Sequence, residues 1–163
     1  MANWSEWMNV GGDYVRLIGD GKYNFSVYSS TNAVNYVASI NENGSVTFYV
    51  KGNTTNGARG VAIFATDEYI DLTKLNKIFG ICTWGHTSSF SGNFILHLID
   101  EEGNITQVAD SSLAAVSSRL GVTWDISSYA GKYRIAFETR TWSYTTGYSQ
   151  EYVQINATDM MIV

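Results

Sequence analysis

Short alternating or wholly apolar segments, each closed by Gly, Asn, Asp or Ser, recur at even spacing along this chain, and that punctuation leaves few folds open to it. Reading for period-two alternation places strands at 14–18, 23–28, 33–39, 45–51, 59–65, 77–84, 92–99, 105–109, 121–126, 132–139 and 151–156, with a closing strand at 159–163. Many short strands with regular turns predict an all-β, antiparallel two-sheet sandwich. In Val46–Lys51, Val46, Phe48 and Val50 share one face and Thr47, Tyr49 and Lys51 the other, so that strand is half-buried. Tyr133, Ile135 and Phe137 repeat the pattern within 132–138, opposite Lys132, Arg134, Ala136 and Glu138. Phe94–Ile99 is apolar on both faces apart from His97, as a central strand requires. Asp100–Asn104 then forms a turn from which 105–108 returns as a hairpin partner, and Asn41–Gly44 has the same character. A Ser cap before a short apolar run predicts a short helix near 111–116.

Composition agrees with strands and turns: aromatic residues make up 14% of the chain, charged residues 15%, and proline is absent. At 163 residues, with no composition shift, repeat or linker, a single domain over 1–163 is expected. The lone Cys82 cannot form an intrachain bridge and reads as inert core. A net charge of −5, with ten basic residues spread thinly, argues against nucleic-acid binding. The first residues lack a signal peptide's basic and apolar regions, and no apolar run approaches the ~20 residues of a membrane span. Cytoplasmic synthesis without membrane insertion is the expectation.

Two segments go beyond spacing: Ile70-Asp71-Leu72-Thr73-Lys74-Leu75-Asn76-Lys77-Ile78, and Trp124-Asp125-Ile126-Ser127-Ser128-Tyr129-Ala130-Gly131-Lys132-Tyr133-Arg134-Ile135-Ala136-Phe137. They resemble the paired strand entries of galactose-binding-like and carbohydrate-binding-module jelly rolls, with Tyr152–Asn156 and Met160–Val163 in the place of the closing strand. The resemblance, over about residues 40–163, implies a jelly roll. Similar stand-alone domains occur among bacteriophage tail, fibre and capsid-decoration proteins. It therefore implies a non-enzymatic virion-surface protein, made in the host cytoplasm, that binds glycans or cell-surface polysaccharide weakly and multivalently. The alternative is an extracellular bacterial carbohydrate-binding module beside a glycan-degrading enzyme. Jelly rolls of this kind often carry a structural calcium between the N-terminal segment and the last strand. Asp13, Asp20 and Asp159 supply hard oxygen donors in suitable regions, in competition with ordinary solvated turn carboxylates; no other cofactor is expected.

No catalytic constellation stands out. His86 and His97 lie in different elements without a metal-binding motif, and Glu138 has Arg140 on its own strand face as a ready ion-pair partner. The aromatic-rich loops carry more. Trp84 and His86 leave one strand, and Arg140, Trp142, Tyr144 and Tyr148 leave another, placing rings among small hydroxylated residues that suit stacking on a sugar. Burial of Trp84 and Trp142 as caps on the core is the competing reading. Trp4, Trp7 and Met8, within 1–12, read as a docking or oligomerisation segment that meets virion proteins or a second copy, or else folds back on the sandwich.

Overall fold

A computed structural model of the chain describes residues 13–52, 59–86, 92–113, 119–141 and 152–163. Twelve strands run through them: β1 (Val15–Ile18), β2 (Phe25–Thr31), β3 (Ala33–Ile40), β4 (Val46–Gly52), β5 (Val61–Thr66), β6 (Ile70–Asp71), β7 (Lys77–His86), β8 (Gly92–Ile99), β9 (Ile105–Leu113), β10 (Arg119–Asp125), β11 (Lys132–Arg140) and β12 (Tyr152–Ile162). Sheet I has the order β10-β7-β12-β4-β3, with β1 beside the second half of β12. Sheet II has the order β2-β5-β11-β8-β9, with β6 beside the start of β11. All pairings are antiparallel, and the sheets pack face to face as a sandwich. Among the described residues there is no helix. The expected helix near 111–116 is corrected in its first half. Ser111, Ser112 and Leu113 extend β9, in register with Phe94, Asn93 and Gly92, and the ladder to β8 outweighs the local Ser cap; 114–116 lie outside the described residues.

The alternation read from the sequence decides which faces meet. Val46, Phe48 and Val50 of β4 face Phe64 of β5, Phe94 of β8 and Phe137 of β11 across the interior, all buried. Phe48 lies 5.3 Å from Phe25 in an edge-on contact and 5.4 Å from Phe137, and Phe137 stacks on Phe94 at 5.1 Å. Burying each such ring contributes about 1.5–3 kcal/mol. The two segments that carried the resemblance lie side by side: Ile70 and Asp71 pair with Tyr133 and Lys132, and Ile78 and Lys77 with Trp124 and Asp125. Both segments enter the core, one through Ile70, Leu72, Leu75 and Ile78, the other through Trp124, Ile126, Ile135 and Phe137.

Turn chemistry closes the hairpins. The β8–β9 turn is pinned by the Asn104 amide donating to an Asp100 side-chain oxygen at 2.7 Å, with Gly103 at φ +85°. In the β3–β4 turn, Gly44 at φ +81° packs so closely on the β1–β2 connection that a Cβ there would sit 2.5 Å from the Gly19 carbonyl oxygen. Only glycine fits that position without moving backbone. The two strands expected at 151–156 and 159–163 are one strand, β12, interrupted by a register shift between Ala157 and Asp159.

Candidate functional site

The outer face of sheet I presents an ordered polar grid. Alternation turns Thr47, Tyr49 and Lys51 of β4 and Tyr152, Gln154 and Asn156 of β12 away from the core, leaving them partly exposed. Register then assembles rows across strands. Ser39, Thr47, Asn156, Thr83 and Arg119 form one row across β3, β4, β12, β7 and β10, and Val37, Tyr49, Gln154 and Gly85 form the next. Asn35, Lys51 and Tyr152 form the third. Tyr49 and Tyr152, diagonal neighbours on adjacent strands, stack with centroids 5.6 Å apart and planes 27° apart.

Hydrogen bonds hold the grid's polar groups in place. The Thr47 hydroxyl donates to Asn156 Oδ1 at 2.8 Å and accepts from Asn41 Nδ2 at 3.1 Å, and Gln154 Nε2 donates to the same Asn156 oxygen at 3.4 Å. Beyond its chain neighbours, a Cβ on Gly85, beside Gln154, would meet no described atom within 4 Å. Chemically this face offers two partly exposed, mutually stacked rings beside fixed amides and hydroxyls. It matches ligands that offer apolar C–H faces and many hydroxyl groups.

The outer face of sheet II differs. His97 and Glu138, on neighbouring β8 and β11, are both buried, and His97 Nε2 lies 2.6 Å from Glu138 Oε2. Arg140 Nε donates to Glu138 Oε1. Burial pushes the Glu138 carboxyl up, but the hydrogen bonds from His97 and Arg140 outweigh it and hold it below the ordinary carboxylate range. The ionised carboxylate accepts from the proton on Nε2, and Nδ1 is buried with no hydrogen-bond partner among the described residues. With both oxygens engaged, Glu138 is an ionised structural counter-charge.

The residues singled out from the sequence fall in several places. Trp84 is 3% exposed and belongs to the core, because β7 turns Ile78, Cys82 and Trp84 inward together; its ring face is not on the surface. His86 ends β7 opposite Val153. Arg140 ends β11, half-buried and bound to Glu138. Trp142, Tyr144 and Tyr148, like Trp4, Trp7 and Met8, lie outside the described residues. The ends of β4, β7 and β11 and the start of β12 lie at one end of the sandwich: Lys51 pairs with Tyr152 and His86 with Val153, and a Cβ on Gly52 of β4 would sit 2.9 Å from the Oγ1 of Thr141, the residue after β11.

Each of the three candidate calcium ligands has another partner in the structure. Asp159 pairs with Arg16 at 3.3 Å, Asp13 lies 3.6 Å from Lys74, and Asp20 accepts the Lys22 amide. Among the described residues no group of three His, Cys, Asp or Glu side chains is arranged to hold a metal ion. Burial pushes Asp159 above the ordinary carboxylate range, opposed by Arg16 and assisted by Asp20. The sequence reading missed both Tyr49–Tyr152 and His97–Glu138. Outward-facing tyrosines on two alternating strands were a signal for the first pair.

No family model matches the sequence, and no curated protein matches it. Among solved structures the chain is similar to two single-substitution variants of a family 29 carbohydrate-binding module, at 9% and 6% identity with TM-scores of 0.52 and 0.51; each match covers 93% of this chain and 92% of the other. It is also similar to part of a longer chain, PfGH50B, at 9% identity and a TM-score of 0.51, covering 86% of this chain and 22% of that one. At such identities the likeness is one of architecture: the chain has the two-sheet β-sandwich fold that those carbohydrate-binding modules have.

Proposed function

We propose that this chain is a non-catalytic module that binds a neutral glycan on the outer face of sheet I. The observation that carries the reading is the Tyr49–Tyr152 stack set among Gln154, Asn156 and Thr47 in a partly exposed polar grid. Ring faces supply the apolar contact and fixed amides the hydrogen bonds that a sugar needs. The carbohydrate-binding modules of like fold support the same reading. Lys51 and Arg119 are cations on these rows, and the chain's net charge of −5 disfavours a polyanionic ligand.

A single site of this kind binds at about millimolar to high-micromolar Kd, roughly −4 to −6 kcal/mol, so useful adhesion needs many copies. A bacteriophage particle surface supplies those copies and is the setting we propose. A module within a multidomain glycan-degrading protein is the second reading, favoured by the occurrence of this fold as 22% of the longer PfGH50B chain. The sequence-derived loop residues His86, Trp142, Tyr144 and Tyr148 belong to the proposal as a second contact region.

The test is a glycan array with the protein displayed multivalently, comparing wild type with Tyr49→Ala and Tyr152→Ala on the sheet and with Trp142→Ala and Tyr144→Ala in the loop. Loss of signal in the sheet variants, with folding retained, is the expected result. Loss confined to the loop variants moves the site to the end of the sandwich, and an array blank for wild type refutes glycan binding.

A further inference from the structure

Among the described residues sheet I ends at β3 and sheet II at β2, and these edges lie against each other on one side of the sandwich, joined at Asn32 with φ +51°. Natural edge strands usually carry charges, prolines or bulges that block further pairing. On this side each strand has one register shift, β2 between Val27 and Ser29 and β3 between Ala33 and Asn35, but neither carries a charge. From Asn24 to Asn41 there is no charged residue, in a chain with ten basic and fifteen acidic ones, and the chain has no proline. The opposite edges do carry charge, Arg119 and Asp125 on β10 and Asp110 on β9.

The uncharged side is also apolar. Val34 is 58% exposed and Val37 45%, with Val27, Tyr28, Tyr36 and Ile40 exposed as well. A register shift interrupts β3 only between Ala33 and Asn35, and from Asn35 to Ile40 it runs unbroken beside β4. The Asn41 amide donates to the Ser45 carbonyl at 2.8 Å, which fixes the alternation of the hairpin. Asn35, Val37 and Ser39 therefore exchange bonds with β4, while the peptide groups of Tyr36, Ala38 and Ile40 point out of the sheet.

From this edge we infer that β3 pairs with β3 of a second copy of the chain, antiparallel about a two-fold axis through Val37. Two requirements select that occupant. A two-fold interface must be self-complementary, and in a chain of net charge −5 it must not set like charges against each other; an uncharged strand meets the second requirement. The register about Val37 meets the first. It sets Val37 against Val37, Tyr36 against the small Ala38, Asn35 against Ser39 and Val34 beside Ile40. It also aims the outward peptide groups of Tyr36 and Ala38 at each other as hydrogen-bonded pairs. The axis is perpendicular to the sheet, so the Tyr49–Tyr152 grids of both copies lie on the same side of one continuous sheet. That last consequence, a bivalent face, rests on the proposed function; the dimer itself does not.

A strand-edge interface is small, and association in about the micromolar range is expected. Sedimentation velocity of the full chain without glycan, from low to several hundred micromolar, tests it. Wild type should shift from monomer to dimer, and Val37→Lys, which sets two ammonium groups face to face at an exposed position, should weaken association at least tenfold with an unchanged melting temperature. Val37→Cys should cross-link to itself on mild oxidation, because non-hydrogen-bonded partners approach to about 4.5 Å, whereas Ser39→Cys should not. A monomer at every concentration overturns the inference. A dimer indifferent to Val37→Lys, or a Val37→Cys variant that does not cross-link, overturns it equally. A dimer that binds no glycan leaves the inference standing and removes the proposed function.

Discussion

Replacing Phe137 by Ala removes the ring at the centre of the interior. Phe137 is fully buried on β11, and its ring centroid lies 5.1 Å from Phe94, 5.4 Å from Phe48, 5.8 Å from Phe25 and 6.1 Å from Trp124. Loss of a buried Phe costs about 3–5 kcal/mol in transfer and cavity terms together. The neighbouring rings belong to four strands in both sheets, so the cavity cannot collapse without moving sheet against sheet. Each lost ring pair also removes about 0.5–1.5 kcal/mol beyond its area. The expected loss is therefore at the upper end, about 4–5 kcal/mol, a large part of the roughly 5–15 kcal/mol that holds a domain folded. Phe137→Leu, which refills most of the space, should lose about 1–2 kcal/mol. Urea unfolding followed by tryptophan fluorescence measures both, read only if the m-values agree. A loss below about 1 kcal/mol for the alanine variant would refute the packing described here, since a ring of such small worth lies at a rim.

Glu138 should reveal itself through pH. Its folded value lies below the ordinary 4.5, so the ion cluster stabilises the fold fully above that pH, and the contribution is lost as pH falls from there through the folded value. The melting-temperature gap between wild type and Glu138→Gln should shrink as pH falls below 4.5; a gap unchanged into strong acid would show that the charge is not what the site uses. Cys82, buried with its thiol pushed up to about 12, should resist a thiol-labelling reagent in the native protein and react only on unfolding; rapid labelling of the folded chain would place it at the surface.

Much of the fold was legible because alternation is a local property. Val46, Phe48 and Val50 announced their common face within six residues, and the structure sets all three in the core. Residues 70–78 and 124–137 were legible as partners through resemblance, and they pair. Cys82 as core followed from its apolar neighbours. Trp84 could have been placed by the same rule, since it shares the parity of Ile78 and Cys82. The extension of β9 over 111–113 was not legible, because its partners on β8 decide it and the local Ser and Leu do not. The two clusters that organise the outer faces were hidden for a topological reason. Tyr49 and Tyr152 meet because β12 inserts between β4 and β7, and His97 and Glu138 because β11 inserts between β5 and β8. Alternation gives a residue's face but not its neighbouring strand.

The measurement that tests the central claim most directly is an amide chemical-shift titration of the protein with a panel of short neutral oligosaccharides. The account predicts shifts concentrated on β4, β7 and β12, at Thr47, Tyr49, Gly85, Gln154 and Asn156, and abolished in Tyr49→Ala. Shifts confined to sheet II or to the β8–β9 hairpin, or none with any sugar in the panel, would contradict it.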